Sequence, residues 1–212
     1  MAEIRLGIGD LAQECGRVVR ENGGLLAGLL VGISTAYTVA DRVSAVLANP
    51  VSIAVSVFVQ YIFVEVALGV TGERRRFGSL FGANLISGLC ILFGAILLVV
   101  PGLFLAARWA LAPAFVVANG ERASSALSAS WQATRGCWVP IAFGYLIVGI
   151  LIIVPIISAV VMGSDDMAKV VWWQNALLNI AITGGTLAGW VLAVASYRAV
   201  GEAHHGLETV FA

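Results

Sequence analysis

Four ionisable side chains stand inside, or at the edge of, runs that are otherwise apolar: Asp41, Glu65, Arg108 and Arg198. A charge in such a run is costly unless it is paired, neutralised or reached by water, so each marks either a structural ion pair or the path of a polar solute. Spacing decides how they pair. At ~1.5 Å of rise per residue, Arg108 lies ~9 Å below one face of a ~30 Å hydrocarbon core, and Asp41 falls within about 4 Å of the same depth. Glu65 is ~21 Å from that face, too deep for Arg108 but within reach of Arg198. The expected pairs are therefore Asp41 with Arg108 and Glu65 with Arg198.

Little other chemistry is legible. The sequence contains no GxSxG, HExxH, Walker loop or CxxC, and no paired carboxylates on an apolar helix face. No catalytic residue, cofactor site or metal site is therefore expected. Asp165-Asp166 reads as a solvated loop pair, and His204-His205 as two imidazoles in a polar tail without a third ligand. Cys15, Cys90 and Cys137 are far apart, odd in number and set among apolar residues, which suits small buried hydrophobes rather than a disulfide frame or a zinc site.

The elements that must hold these charges are hydrophobic helices. Of 212 residues 60% are hydrophobic and only 11% charged, and mean hydropathy is +0.97. Too little polar surface exists to coat a soluble globule, whose charged fraction is roughly 25%. Net charge is zero, so no basic field exists to hold nucleic acid.

The chain reads as one integral membrane domain over residues 1–212, an all-α polytopic bundle of six transmembrane helices and two amphipathic interfacial helices. The spans fall at about 24–40, 51–70, 83–100, 103–119, 139–162 and 175–200. The first amphipathic helix covers 4–22, with Ile4, Ile8, Leu11, Cys15, Val18 and Val19 on one face and Asp10, Gln13, Glu14, Arg17 and Arg20 on the other. Its acids offset its bases, unlike a basic targeting peptide. The second covers 121–136, with Ala123, Leu127 and Trp131 at i+4 spacing. Pro101-Gly102 reads as the turn of a helical hairpin. Gly24, Gly28, Gly32, Ala36 and Ala40 recur every four residues, as do Ala181, Gly185, Gly189 and Ala193. Small-residue stripes of this kind let helix backbones approach, so the first and last spans are expected to pack on one another.

Arginine and lysine set the orientation. Three segments sharing one side hold three (1–23), three (71–82) and two (120–138) basic residues, against Arg42 and Lys169 opposite. The positive-inside rule then places both termini in the cytoplasm. A faint parallel repeat lays Arg20 and the span after it over Arg135 and the span after that.

The pattern from Pro101-Gly102 through Arg108 and Glu121 to Ala126, Leu127, Ser130 and Trp131 resembles the membrane domain of some bacterial glycerophosphoryl diester phosphodiesterases and the stand-alone YciC-like inner-membrane proteins. The resemblance is clearest over about forty residues. It implies an integral protein of the bacterial inner membrane and carries no activity over, because the phosphodiesterase chemistry belongs to a separate soluble barrel. The expectation is a non-enzymatic, accessory or structural envelope component whose partners are the bilayer and phospholipid or another membrane subunit. The alternative is a small-solute transporter or channel using Glu65 and Arg108.

Overall fold

The structure, a computed structural model, describes residues 6–43, 45–70, 76–97, 99–162 and 172–211; side chains are described for these except 41–52, 54, 97, 159–162, 172 and 202–211. Among the described residues the secondary structure is helical: α1 Ile8–Glu21, α2 Gly23–Val43, α3 Ala45–Leu68, α4 Phe77–Leu97, α5 Val99–Arg108, α6 Ala112–Asn119, α7 Ala123–Ala133, α8 Trp138–Met162 and α9 Trp172–Phe211. Among the described residues, five segments are long and apolar enough to cross a membrane: Gly23–Ala40, Phe77–Ile96, Val99–Asn119, Trp138–Ser158 and Trp173–Gly201. Val55–Leu68 is a shorter apolar stretch.

Helix α9 is the mast of the bundle. It packs on α8, α2, α1, α3 and α6, and every residue from Trp190 to Ser196 is buried. By contrast Leu85, Leu89, Phe93 and Ile96 of α4, and Ile147, Leu151, Val154 and Ile157 of α8, are exposed. An apolar exterior this broad would aggregate in water and is the natural surface of a helix bundle in lipid.

Helix α1 starts where the Gly7 N–H donates to the Asp10 carboxylate at 3.0 Å. It stops at Asn22, whose Nδ2 donates to the Val18 carbonyl at 3.0 Å, and α2 follows at once. Its buried face consists of Leu11, Glu14 and Val18, against α9 and α8.

The hairpin of α4 and α5 corrects the expected role of Pro101-Gly102. Both residues lie in the first turn of α5 rather than between the helices. A proline there forfeits an N–H that has no intrahelical acceptor anyway. Gly102 is the contact point: a Cβ on it would come 2.7 Å from the Ala95 N, so only glycine lets the two backbones meet. The fourth expected span is also interrupted, because α5 ends at Arg108 and α6 begins at Ala112.

The glycine stripes divide. On α9, Gly185 and Gly189 receive Ile152 and Val148 of α8. On α2, Gly24, Gly28 and Gly32 face open space, and α2 meets the bundle through Leu25, Leu26, Leu29, Leu30 and Ile33. The last span thus accepts the fifth in its stripe, and the first docks by its leucine side. In a helix apolar all round, hydropathy does not mark the packed face; larger side chains bury more dispersion contact there than a glycine row does.

Candidate functional site

Polar clusters and cavities stand out among the described residues, two of each bearing on function. The first cluster lies where α5 breaks into α6. Pro113, second in α6, has no N–H to offer, and the Ala112 N–H bonds to the Trp109 carbonyl at 3.1 Å, so the Arg108 carbonyl loses its regular partner. Helix α7 supplies the replacement. Ser130 Oγ donates to the Arg108 carbonyl at 2.8 Å and accepts from the Leu111 N–H at 3.1 Å. One hydroxyl thus satisfies both groups freed by the break, using its one donor and one of its lone pairs. Thr134 Oγ1 donates to the Ser130 carbonyl at 2.8 Å and lies 3.3 Å from the Arg108 carbonyl. Ser130 and Thr134 are fully buried. Gly120, at φ +61, ends α6 in the left-handed conformation and lets α7 turn back on it.

The Arg108 side chain is only 6% exposed. Its guanidinium sits 4.4 Å from the centroid of Trp131 and 5.9 Å from that of Phe104. Phe104 in turn meets Trp138 edge-on at 5.1 Å, and Trp109 lies 6.1 Å from Trp131. Arg135 is near enough to act on Arg108 electrostatically, and Arg108 Nε has no hydrogen-bond acceptor among the described residues. Burial pushes the neighbouring Cys137 thiol up, with the Arg108 charge pulling the other way. The side chain of Asp41, the expected partner of Arg108, lies outside the described residues; its helix α2 packs chiefly on α9 and α3, whereas α5 packs on α4 and α8. Glu65 is half-buried in α3 and is not among the described neighbours of Arg108.

The second cluster joins α1, α3 and α9. Arg198 pairs with Glu21 at 2.7 Å and with Glu14 at 3.6 Å, and its Nη2 also donates to the Ala67 carbonyl. Glu14, 4% exposed, is held from its other side by Arg17 at 2.9 Å. Arg198 therefore meets α3 at Ala67, two residues beyond Glu65, and the carboxylates described beside it are Glu14 and Glu21 of α1. Sequence reasoning missed Glu14 by assigning it to the polar face of α1. The signal was its spacing: three residues after Leu11 and four before Val18, it shares their face. Asp165, Asp166, His204 and His205 carry side chains outside the described residues. Among the described residues no three His, Cys, Asp or Glu side chains gather as a metal site. The three cysteines are unpaired, Cys137 buried and Cys15 and Cys90 half-buried. Burial, and after it the Glu14 carboxylate, raises the Cys15 thiol.

The larger cavity is an apolar groove of about 530 Å³ bounded by α1, α2, α8 and α9, with Leu11, Cys15, Leu26, Phe143, Val148 and Leu192 on its walls. The smaller, about 380 Å³, lies among α2, α3, α4 and α9 and is lined by Tyr37, Ser56, Gln60, Asn84 and Trp190. There Asn84 Nδ2 donates to Gln60 Oε1 at 2.6 Å, and the hydroxyls of Tyr37 and Ser56 share the lining.

Fold and site together define an all-helical protein with helices fit to cross a bilayer and polar groups bolted between them. No family model, curated protein or solved structure matches the chain.

Proposed function

We propose that this chain is a non-enzymatic integral protein of a bacterial inner membrane, crossing it six times with both termini in the cytoplasm. Its role is that of an accessory or structural envelope component that holds phospholipid. The observation that carries this reading is the apolar groove of about 530 Å³ under the amphipathic helix α1. Nearly every atom on its walls is hydrocarbon, and its size falls within the roughly 300–1,000 Å³ of small-molecule sites. In a bilayer the molecule that fits such a wall is an acyl chain. Helix α1 covers it with Ile8, Leu11, Ala12, Cys15 and Val19, as an interfacial helix would cover the chain region of one leaflet.

Six spans are supported by α3. Its 24 residues would extend ~36 Å at the usual rise, enough to cross a core of ~30 Å. The eight basic residues flanking the spans on one side support the orientation. Native mass spectrometry from nanodiscs tests the reading: bound phospholipid is expected. Turnover of a lipid or glycerophosphodiester by the purified protein, abolished by a point mutation in this chain, would overturn the non-enzymatic assignment.

The smaller cavity favours a second reading, a path for a small polar solute. Its Tyr37, Ser56, Gln60 and Asn84 offer neutral donors and acceptors among apolar helices. That path would use these amides and hydroxyls rather than the Glu65 and Arg108 charges, and solute flux sensitive to Gln60→Leu is its signature.

A further inference from the structure

We propose that the buried guanidinium of Arg108 is a binding site for a phosphate oxyanion, the group carried by a phospholipid headgroup or by inorganic phosphate. The inference rests on the reading of the chain as a membrane protein in contact with phospholipid, and it names a site that the groove does not supply.

Arg108 is 6% exposed, yet its described neighbours include no carboxylate. The only charged side chain among the described residues found acting on it with permanent charge is Arg135, of the same sign. Two like charges within electrostatic reach of one another repel, and an anion bound at Arg108 relieves that repulsion. The rings do not exhaust the guanidinium either. Trp131 at 4.4 Å and Phe104 at 5.9 Å attract it as a cation beside their rings. The N–H donors point outward in the guanidinium plane and are a separate capacity. Nε finds no acceptor among the described residues, and the hydroxyls of Ser130 and Thr134 bond to main-chain groups rather than to the guanidinium. Ser130 donates to the Arg108 carbonyl and accepts from Leu111, while Thr134 donates to the Ser130 carbonyl. Helix α7 thus fixes the main chain of Arg108 and leaves its fork without an acceptor.

The fork matches two oxygens of a phosphate in parallel, a geometry that lysine lacks. Trp131 and Phe104 flank it, with Trp109 packed on Trp131 and Trp138 on Phe104, and amphipathic indole rings favour the headgroup boundary. Arg135 is exposed just past the end of α7, where it can meet the same phosphate from the surface.

The test uses the full chain in detergent, with dioleoylphosphatidylglycerol titrated and read by native mass spectrometry. In a second arm, inorganic phosphate is titrated against the same full chain and read by its intrinsic tryptophan fluorescence, to which Trp131 beside the guanidinium contributes. Arg108→Gln is expected to weaken lipid binding at least about tenfold, the scale of losing a charge-assisted contact. Arg108→Lys should restore only part of it, and Arg135→Gln should weaken it about threefold, because that group is exposed. If phosphate alone binds and both arginine variants weaken it, Arg108→Gln the more, the site holds and its ligand comes from solution. Equal lipid and phosphate binding by wild type, Arg108→Gln and Arg135→Gln overturns the site, and Arg135→Gln keeps the test decisive should Arg108→Gln not fold. A stability coupling between Asp41→Asn and Arg108→Gln would also overturn it, by supplying a counter-ion within the chain. Wild type free of phospholipid would sink the proposed function itself, whereas lipid-bearing wild type with indifferent arginine variants sinks this site alone.

Discussion

Replacing Ser130 with alanine removes one oxygen and strands two backbone groups, the Leu111 N–H at 3.1 Å and the Arg108 carbonyl at 2.8 Å. Each buried group left without a partner costs ~1–3 kcal/mol. The two do not add in full, because Thr134 Oγ1 already lies 3.3 Å from the same carbonyl and can shift its donation there. Intramembrane hydrogen bonds measured by double-mutant cycles average ~0.6 kcal/mol, which pulls the figure down further. The stranded N–H therefore dominates, and Ser130→Ala should destabilise the protein by about 1–2 kcal/mol. The cause of the break provides the control. Pro113→Ala returns an N–H to α6 and lets the helix close across residues 109–111, so Ser130→Ala in that background should cost about 1 kcal/mol less than in wild type, a coupling above the additive limit of ~0.5 kcal/mol. Reversible unfolding in mixed micelles, or steric trapping in bicelles, measures both. An unchanged midpoint in Ser130→Ala, or an equal cost in the two backgrounds, would refute the reasoning.

Gly102→Ala should destabilise the α4–α5 hairpin by about 1–3 kcal/mol through overpacking, since its Cβ would meet the Ala95 N at 2.7 Å, whereas Gly28→Ala, with nothing within 4 Å, should be neutral or stabilising; thermal midpoints in detergent separate the two. Arg198→Met should release α1 from α9 and speed hydrogen exchange across Ile8–Glu21, while Glu21→Gln, at an exposed partner, should have little effect. Because burial raises the thiols of Cys137 and Cys15 above the ordinary value, their thiolate fraction stays low until the pH passes that raised value. Iodoacetamide should accordingly modify both more slowly at pH near 8 than a free thiol, as followed by mass spectrometry. Reporter fusions after Arg76 and Gly136 should read cytoplasmic and one at Ser164 external; a cytoplasmic reading at Ser164 would overturn six spans.

Hydropathy and length make the helices legible, because a backbone in lipid has few other ways to satisfy itself. The run from Pro101 to Trp131 also held more than its composition suggested: the structure gathers Arg108, Ser130 and Trp131 into one cluster. What the sequence concealed was facing. A helix uniformly apolar, such as α2, has no hydrophobic stripe to orient it, so the glycine row was assigned to a contact made by leucines instead. Glu14 was concealed differently. Its charge assigned it to the polar face of α1, although its spacing from Leu11 and Val18 sets it toward Arg198. The break at residues 109–111 follows from Pro113, but its repair by Ser130 needs a partner 19 residues away in sequence, which spacing within one helix does not reveal.

The central claim, that the groove beneath α1 holds an acyl chain, is tested most directly by filling it. Ala188 lines the groove on α9, and Ala188→Trp should occupy that volume while leaving the Ser130 and Arg198 clusters intact. Native mass spectrometry of wild type and variant released from the same nanodiscs counts the phospholipids each retains. The account predicts bound phospholipid on wild type and at least one fewer on a folded Ala188→Trp. Equal retention by both, or a wild type without lipid, would contradict it.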